Sequence, residues 1–167
     1  MNKEIKAALL VIDLQKGFIK NYPCFPNLEL TLEYVNGTID LFRKKDLPVI
    51  VVKDLSAEGE SFPDAFDLID GLMIEEGEFE VIEKTLTNSF WKTDLEDRLR
   101  SKGVEFVVIA GFAAEYCVYG TYQGATERGF HALILKNGIT TLNENYALMI
   151  EHALNDISYF TLAKLLS

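Results

Sequence analysis

Cysteine and histidine are scarce in this chain of 167 residues, with two of each. Cys24 and Cys117 cannot make a disulfide framework, and neither sits in a CxxC or similar metal-ligand spacing. A reducing compartment is therefore expected, with the cytoplasm as the default. Basic residues are also few: 16 Lys and Arg against 26 Asp and Glu give a net charge of -10. Nucleic-acid binding needs clustered cations, so a phosphate backbone is excluded as a partner. No apolar run is long enough for a membrane span, and Ala7 to Ile12 is too short for a secretory signal. There is no GxGxxG, no P-loop, no internal repeat and no Gly/Ser- or Pro-rich linker. No cofactor is expected, and the length suits one domain over residues 1–167.

What the sequence does hold is apolar residues, 49% of the chain, in blocks of alternating period. Continuous or β-branched runs predict strands at Ala7–Asp13, Leu47–Lys53, Phe79–Lys84, Val104–Ala110, Phe130–Leu135 and, shorter, Ile157–Phe160. Helical spacing of Leu28, Leu32, Val35, Ile39 and Phe42 predicts a helix after Asn27, its amino-terminal cap. Thr93-Asp94-Leu95-Glu96 has the form of a capping box, for a helix that Gly103 ends. Two further helices are expected, one opening at Cys117 and stopped by Gly129, the other capped by Asn143. Pro23 and Pro26 break an irregular stretch. Leu55–Glu78 reads as a long acidic excursion with a short helix near Asp64–Asp70, either a lid or a solvated flap. Leu162–Leu166 reads as a tail. Strands alternating with helices imply an α/β fold: a three-layer α/β/α arrangement around a mostly parallel, about six-stranded, Rossmann-like sheet.

In such a sheet Asp13, Lys84 and Cys117 all fall at the carboxyl ends of strands, on the rim where open α/β sheets bind ligands. A carboxylate, an ammonium and a thiol together make a nucleophilic site without histidine. A helix amino terminus at Cys117 is expected to lower its thiol pKa. Each residue also has an ordinary reading: a turn former, a surface ion pair, a packed thiol. Tyr116 and Trp91 are candidates to wall a substrate pocket, or are core or contact aromatics. Lys16 and Lys53 either attract an anionic group or are solvated.

These residues carry a resemblance. Val11-Ile12-Asp13-Leu14-Gln15-Lys16-Gly17-Phe18 resembles the D-x-Q-x-x-F motif of the isochorismatase-like cysteine hydrolases, a superfamily that includes nicotinamidases and carbamoyl-amide hydrolases. Lys84 through Phe90, with Thr93 and Leu95, is similar to its K-x-x-x-S-x-F…T-x-L motif. Gly111 through Val118, with Thr121 and Ala125, resembles its nucleophile loop and helix. The resemblance implies Asp13 as general base, Lys84 as third member and Cys117 as nucleophile. It implies a cis peptide at Phe112-Ala113, an oxyanion hole from the Ala113 and Cys117 N–H groups, and Phe18 in the substrate pocket. Ala114 stands where the family usually has Thr, and Gly124 where it commonly has Asp. Nicotinamidases hold a metal with Asp and several His after the second strand. Here Asp54 has no histidine near it in sequence, so no metal is expected.

By this resemblance the chain is a metal-independent hydrolase of a small amide, or related C–N or carbonyl compound, working through a thioester. Its partner is a small-molecule substrate, and the family's habit implies a homo-oligomer. The alternatives are a non-catalytic binding member of the same fold, an ether- or ester-cleaving hydrolase, and a flavodoxin-like cofactor binder.

Overall fold

A computed structural model describes residues 5–19, 25, 27–59, 63–75 and 77–167. Cys24, Pro23 and Pro26 lie outside the described residues. The elements run β1 (Ala7–Ile12), α1 (Lys16–Ile19), α2 (Leu28–Lys44), β2 (Val49–Asp54), β3 (Glu80–Lys84), α3 (Leu95–Ser101), β4 (Phe106–Phe112), α4 (Tyr119–Glu127), β5 (His131–Thr140), α5 (Glu144–Ala153), β6 (Asp156–Ile157) and α6 (Tyr159–Leu165). The six strands form one parallel sheet in the order β3-β2-β1-β4-β5-β6. β1 is central and buried along its whole length, as its unbroken apolar run requires. Among the described residues no helix is long and apolar enough to cross a membrane.

Side-chain alternation along β1 divides the core in two. Ala8, Leu10 and Ile12 meet Leu95, Leu99, Val118, Tyr122 and Ile150 from α3 to α5. Ala7, Leu9 and Val11 meet Val35, Ile39, Phe42 and Leu162 from α2 and α6. This is the three-layer α/β/α arrangement, with each helix burying one stripe. Successive crossovers place β2 and β3 on one side of β1 and β4 to β6 on the other. The winding reverses between β1 and β4, and the carboxyl end of that pair is the switch point where open α/β sheets place ligands.

Several local expectations are corrected. The Thr93–Glu96 capping box does not form. The Thr93 hydroxyl donates to the Ser89 carbonyl at 2.6 Å, and Glu96 is taken by Arg100 and Arg128. Asn27 precedes α2 in the left-handed region and makes no side-chain cap. Asn143 does cap α5, accepting from the Asn145 N–H. The last strand is only Asp156–Ile157. Ser158 then accepts from the Thr161 N–H and starts α6, so the supposed tail is a helix. β5 runs on to Thr140, because residues Leu135 to Gly138 bulge out opposite Ala110 before pairing resumes at Ile139.

The acidic excursion holds a short 3-10 helix at Leu55–Gly59, and turns rather than a helix at 63–66. Its inner part is docked. The Lys16, Gly17 and Ile69 N–H groups donate to the Asp67, Ala65 and Leu14 carbonyls, and Gln15 bridges to Leu68. Lys16 Nζ lies 3.1 Å from Asp64 and 3.4 Å from Asp70. The apolar residues Ala57, Ala65 and Ile69 are buried beneath these contacts. The segment therefore packs on the turn after β1.

Candidate active site

Asp13, Lys84 and Cys117, far apart in sequence, meet at this switch point. Lys84 ends β3 with its side chain fully buried. Its Nζ lies 2.7 Å from Asp13 Oδ2, 2.6 Å from Asp54 Oδ2 and 3.3 Å from Cys117 Sγ. The contacts to Asp54 and Cys117 are aligned hydrogen bonds donated by Lys84. The approach to Asp13 is close but not aligned, and neither Asp13 oxygen has a hydrogen-bond partner although both are buried. Asp13 itself follows β1 at φ 51, a left-handed conformation that Asp tolerates better than most residues.

The electrostatics follow from this packing. Burial raises the Asp13 carboxyl from its ordinary 3.8 to about 6, against the opposing pull of Lys84. Burial also works against the Lys84 charge, but Asp13, Cys117 and Asp54 hold the ammonium above the ordinary lysine range. For Asp54, burial is outweighed by hydrogen bonds from Lys84 and Ser56, and its carboxyl sits below the usual range. The Cys117 thiol is pushed up, first by burial and then by Asp13, with Lys84 only partly offsetting them. The expectation of a lowered thiol pKa is therefore corrected: burial, reinforced by the Asp13 carboxylate beside the sulfur, outweighs the helix amino terminus, and the resting group is the thiol.

The turn that carries Cys117 is tighter in sequence than expected. Helical winding begins at Ala114, as a π-turn over Ala114–Val118, and passes directly into α4. The Ala113 carbonyl accepts from the Tyr116 and Val118 N–H groups and passes over that of Cys117. The Phe112-Ala113 peptide is cis. Just before it, Gly111 takes φ +123, and a Cβ there would collide with the Ile12 backbone across the sheet. Only glycine fits this close approach. Glu115 on the turn accepts from the Thr141 hydroxyl at 2.6 Å, tying the turn to the end of β5.

The Lys84 loop is seated on α4. The Ser89 and Thr121 hydroxyls pair at 2.7 Å in the interior, and Gly120 and Gly124 leave room for Thr87 and Asn88. Gly124, where the family commonly has Asp, is thus filled by the Asn88 side chain. Phe18 is half-buried, with its ring 5.9 Å from that of Phe112, which also meets Phe25 at 5.3 Å. Trp91 and Tyr116 are 49% and 63% exposed. Lys53 stacks over Phe66 at 4.0 Å, and Lys16 is held by Asp64 and Asp70, so both cations have partners.

Sequence reasoning passed over Asp54 and Gln15 as members of this cluster. Gln15 is wholly buried; it donates to the Asp54 and Phe66 carbonyls and accepts from the Asp54 N–H. Asp54 ends β2 on the same rim as Asp13 and Lys84, and that placement is the signal that could have found it. Ligand atoms of Asp13, Asp54 and Cys117 lie within 4.8 Å of one another. They do not fit a divalent metal, because the Lys84 ammonium already stands among them and supplies the positive charge. His131 stacks on Phe106 at the amino end of β5, and His152 is exposed on α5.

The Isochorismatase domain family matches residues 7–161. The chain is 29% identical over 140 residues to the uncharacterized isochorismatase family protein YddQ of Bacillus subtilis (strain 168), covering 80% of this chain and 77% of that one. It is 32% identical over 135 residues to streptothricin hydrolase of Streptomyces noursei, covering 77% and 51%. Its fold is similar to the crystal structure of N-carbamoylsarcosine amidase from Thermoplasma acidophilum, at TM-score 0.76 and 25% identity over 92% of this chain and 95% of that one. The fold, the docked motifs and the sequence match agree: this chain belongs to the isochorismatase family.

Proposed function

We propose that the protein is a cysteine-dependent hydrolase of a small amide or related C–N compound. The observation that carries this reading is the convergence of the Cys117 sulfur, the Asp13 carboxylate and the Lys84 ammonium in one buried cluster. Relatives named as a streptothricin hydrolase and an N-carbamoylsarcosine amidase support hydrolysis at carbon–nitrogen bonds.

In the proposed reaction, Cys117 Sγ bonds to the substrate carbonyl carbon as its proton passes to Asp13. Asp13 suits this role because its oxygens accept no aligned hydrogen bond and burial raises its carboxyl to about 6. The electron pair of the carbonyl moves onto oxygen, where the Ala113 and Cys117 N–H groups hold it. The C–N bond then breaks, Asp13 returns its proton to the leaving nitrogen, and a thioester remains. Water attacks the thioester and gives its proton to Asp13. The C–S bond breaks, the acid leaves, and sulfur recovers a proton from Asp13. Lys84 stays charged throughout and offsets the negative charge on sulfur and oxygen. Phe18, Tyr116 and Trp91 contribute to the walls that select the substrate.

The test is turnover of a panel of amides, esters and vinyl ethers by the protein and by Cys117→Ala. The expected result is amide hydrolysis, a loss of several orders of magnitude in the variant, and an acyl adduct of Cys117 by mass spectrometry. Full turnover by Cys117→Ala refutes the mechanism. Activity confined to vinyl ethers or esters refutes the substrate class.

A further inference from the structure

Three partners surround the Lys84 ammonium, and the geometry does not treat them alike. Asp54 and Cys117 accept its aligned hydrogen bonds, whereas Asp13 Oδ2 stands 2.7 Å from it in an ion pair without an aligned bond. Asp54 is held from every side. Its Oδ1 accepts from the Ser56 N–H at 2.9 Å and the Ser56 hydroxyl at 2.7 Å. Its own backbone N–H and carbonyl are both bonded by the Gln15 amide. A carboxylate so fixed cannot follow the reaction. The Asp13 carboxylate, without such bonds, can.

We propose that Asp54 is a positioning residue: by accepting an aligned hydrogen bond from the Lys84 ammonium it leaves Asp13 in a close but unaligned ion pair, with a lone pair available for the thiol proton. This rests on the hydrolase reading above and extends it from three residues to four. The charge count gives the same division of labour. Two carboxylates face one ammonium, so the cluster carries one negative charge in excess while the thiol is protonated. When Asp13 takes the proton and negative charge appears on the substrate oxygen, Asp54 remains the counter-charge of Lys84. The charged and titratable groups facing Asp54 are Lys84 from β3, Asp13 after β1 and Cys117 from the π-turn. Beyond Gln15, Lys16 is already neutralised by Asp64 and Asp70.

Removing the Asp54 charge has two opposite consequences. With one negative charge fewer nearby, the thiol ionises more readily. With its aligned acceptor lost, Lys84 turns to Asp13 and occupies the lone pairs that the proton needs. The experiment measures both in Asp54→Asn: the rate of Cys117 alkylation by iodoacetamide against pH, and kcat/KM against pH for the best amide of the panel. The expected result is an alkylation midpoint at least about one pH unit lower, together with a kcat/KM lowered about 10- to 100-fold and an acid limb moved to lower pH. A merely structural residue would lower the rate and leave both pH profiles in place. That outcome, or wild-type kcat/KM, overturns the proposal.

Asp54→Ser, smaller and open to water, repeats the measurement with a different shape. If neither variant folds, Asp54 is a determinant of folding and the positioning role falls. Alkylation needs no turnover, so the two readings fail separately. Full activity in Cys117→Ala refutes the hydrolase mechanism, whereas an unmoved alkylation profile in an enzyme that needs Cys117 refutes the role of Asp54 alone.

Discussion

Replacing Lys84 by Met tests the electrostatic account of the cluster without reference to any substrate. The side chain is fully buried, and Met roughly keeps its length while removing the charge. What remains is a pair of buried carboxylates, Asp13 and Asp54, with oxygens inside 4.8 Å of each other and no cation between them. Two such groups cannot both ionise, so at least one must be protonated in the folded state. The ordinary carboxyl pKa is 3.8, and each pH unit above it costs about 1.4 kcal/mol. Holding that proton at pH 7 therefore costs about 4 kcal/mol, within the range of roughly 3–5 kcal/mol for breaking a buried ion pair by removing one partner.

The pH dependence has a definite sign. In the variant the folded carboxyl pKa lies above the unfolded one, so stability is complete below about pH 4 and falls as pH rises. Between pH 5 and 7 the variant loses about 3 kcal/mol from one carboxyl. The wild type loses about 1 kcal/mol over the same window, since its Asp13 ionises through about 6 and the loss levels off above that. The gap between the two proteins should widen by about 1–2 kcal/mol from pH 5 to pH 7. Urea unfolding at both pH values measures it. A gap under about 1 kcal/mol at pH 7, or one no larger at pH 7 than at pH 5, refutes the reasoning.

Other outcomes follow from the same geometry. For the best amide substrate, kcat/KM should rise with pH through a limb near 6, because Asp13 works as a base only when ionised; a limb at the ordinary carboxylate position contradicts its assignment. Gly111→Ala places a Cβ onto the Ile12 backbone at a positive φ, and should cost more than about 3 kcal/mol or abolish soluble expression; wild-type stability in urea would count against the close approach. Gln15→Leu leaves the Asp54 N–H and carbonyl and the Phe66 carbonyl without their bonds, for a loss of about 1–3 kcal/mol. It should also speed proteolytic cleavage within residues 63–70, and an unchanged cleavage rate would show that the segment is held otherwise.

Much of this molecule was legible from one dimension. Unbroken apolar runs such as Ala7–Ile12 and Phe106–Ala110 mark buried parallel strands, because a strand covered on both faces has no polar side to show. The alternation of such runs with helical stripes leaves few foldings, and right-handed crossovers put Asp13, Lys84 and Cys117 on one rim. Local competition was harder to read. The Thr93 hydroxyl donates to the Ser89 carbonyl and accepts only a long bond, 3.4 Å, from the Leu95 N–H, while Glu96 pairs with two arginines from α3 and α4's end, so the reciprocal box did not form. The acidic excursion likewise showed its charges but not its docking, which depends on backbone bonds to the Leu14–Gly17 turn.

Composition and pattern by themselves pointed to the fold class and to a carboxylate, an ammonium and a thiol on one rim of the sheet. Tertiary structure alone decided how close those groups lie and which of them pair. Whether a thiol is ionised depends on the sum of burial and neighbouring charges over a few ångströms, and Asp54, 63 positions before Cys117 in the chain, enters that sum only once β2 lies beside β1 and β3. A sequence records which charges exist. Their distances, and so their energies, belong to the folded chain.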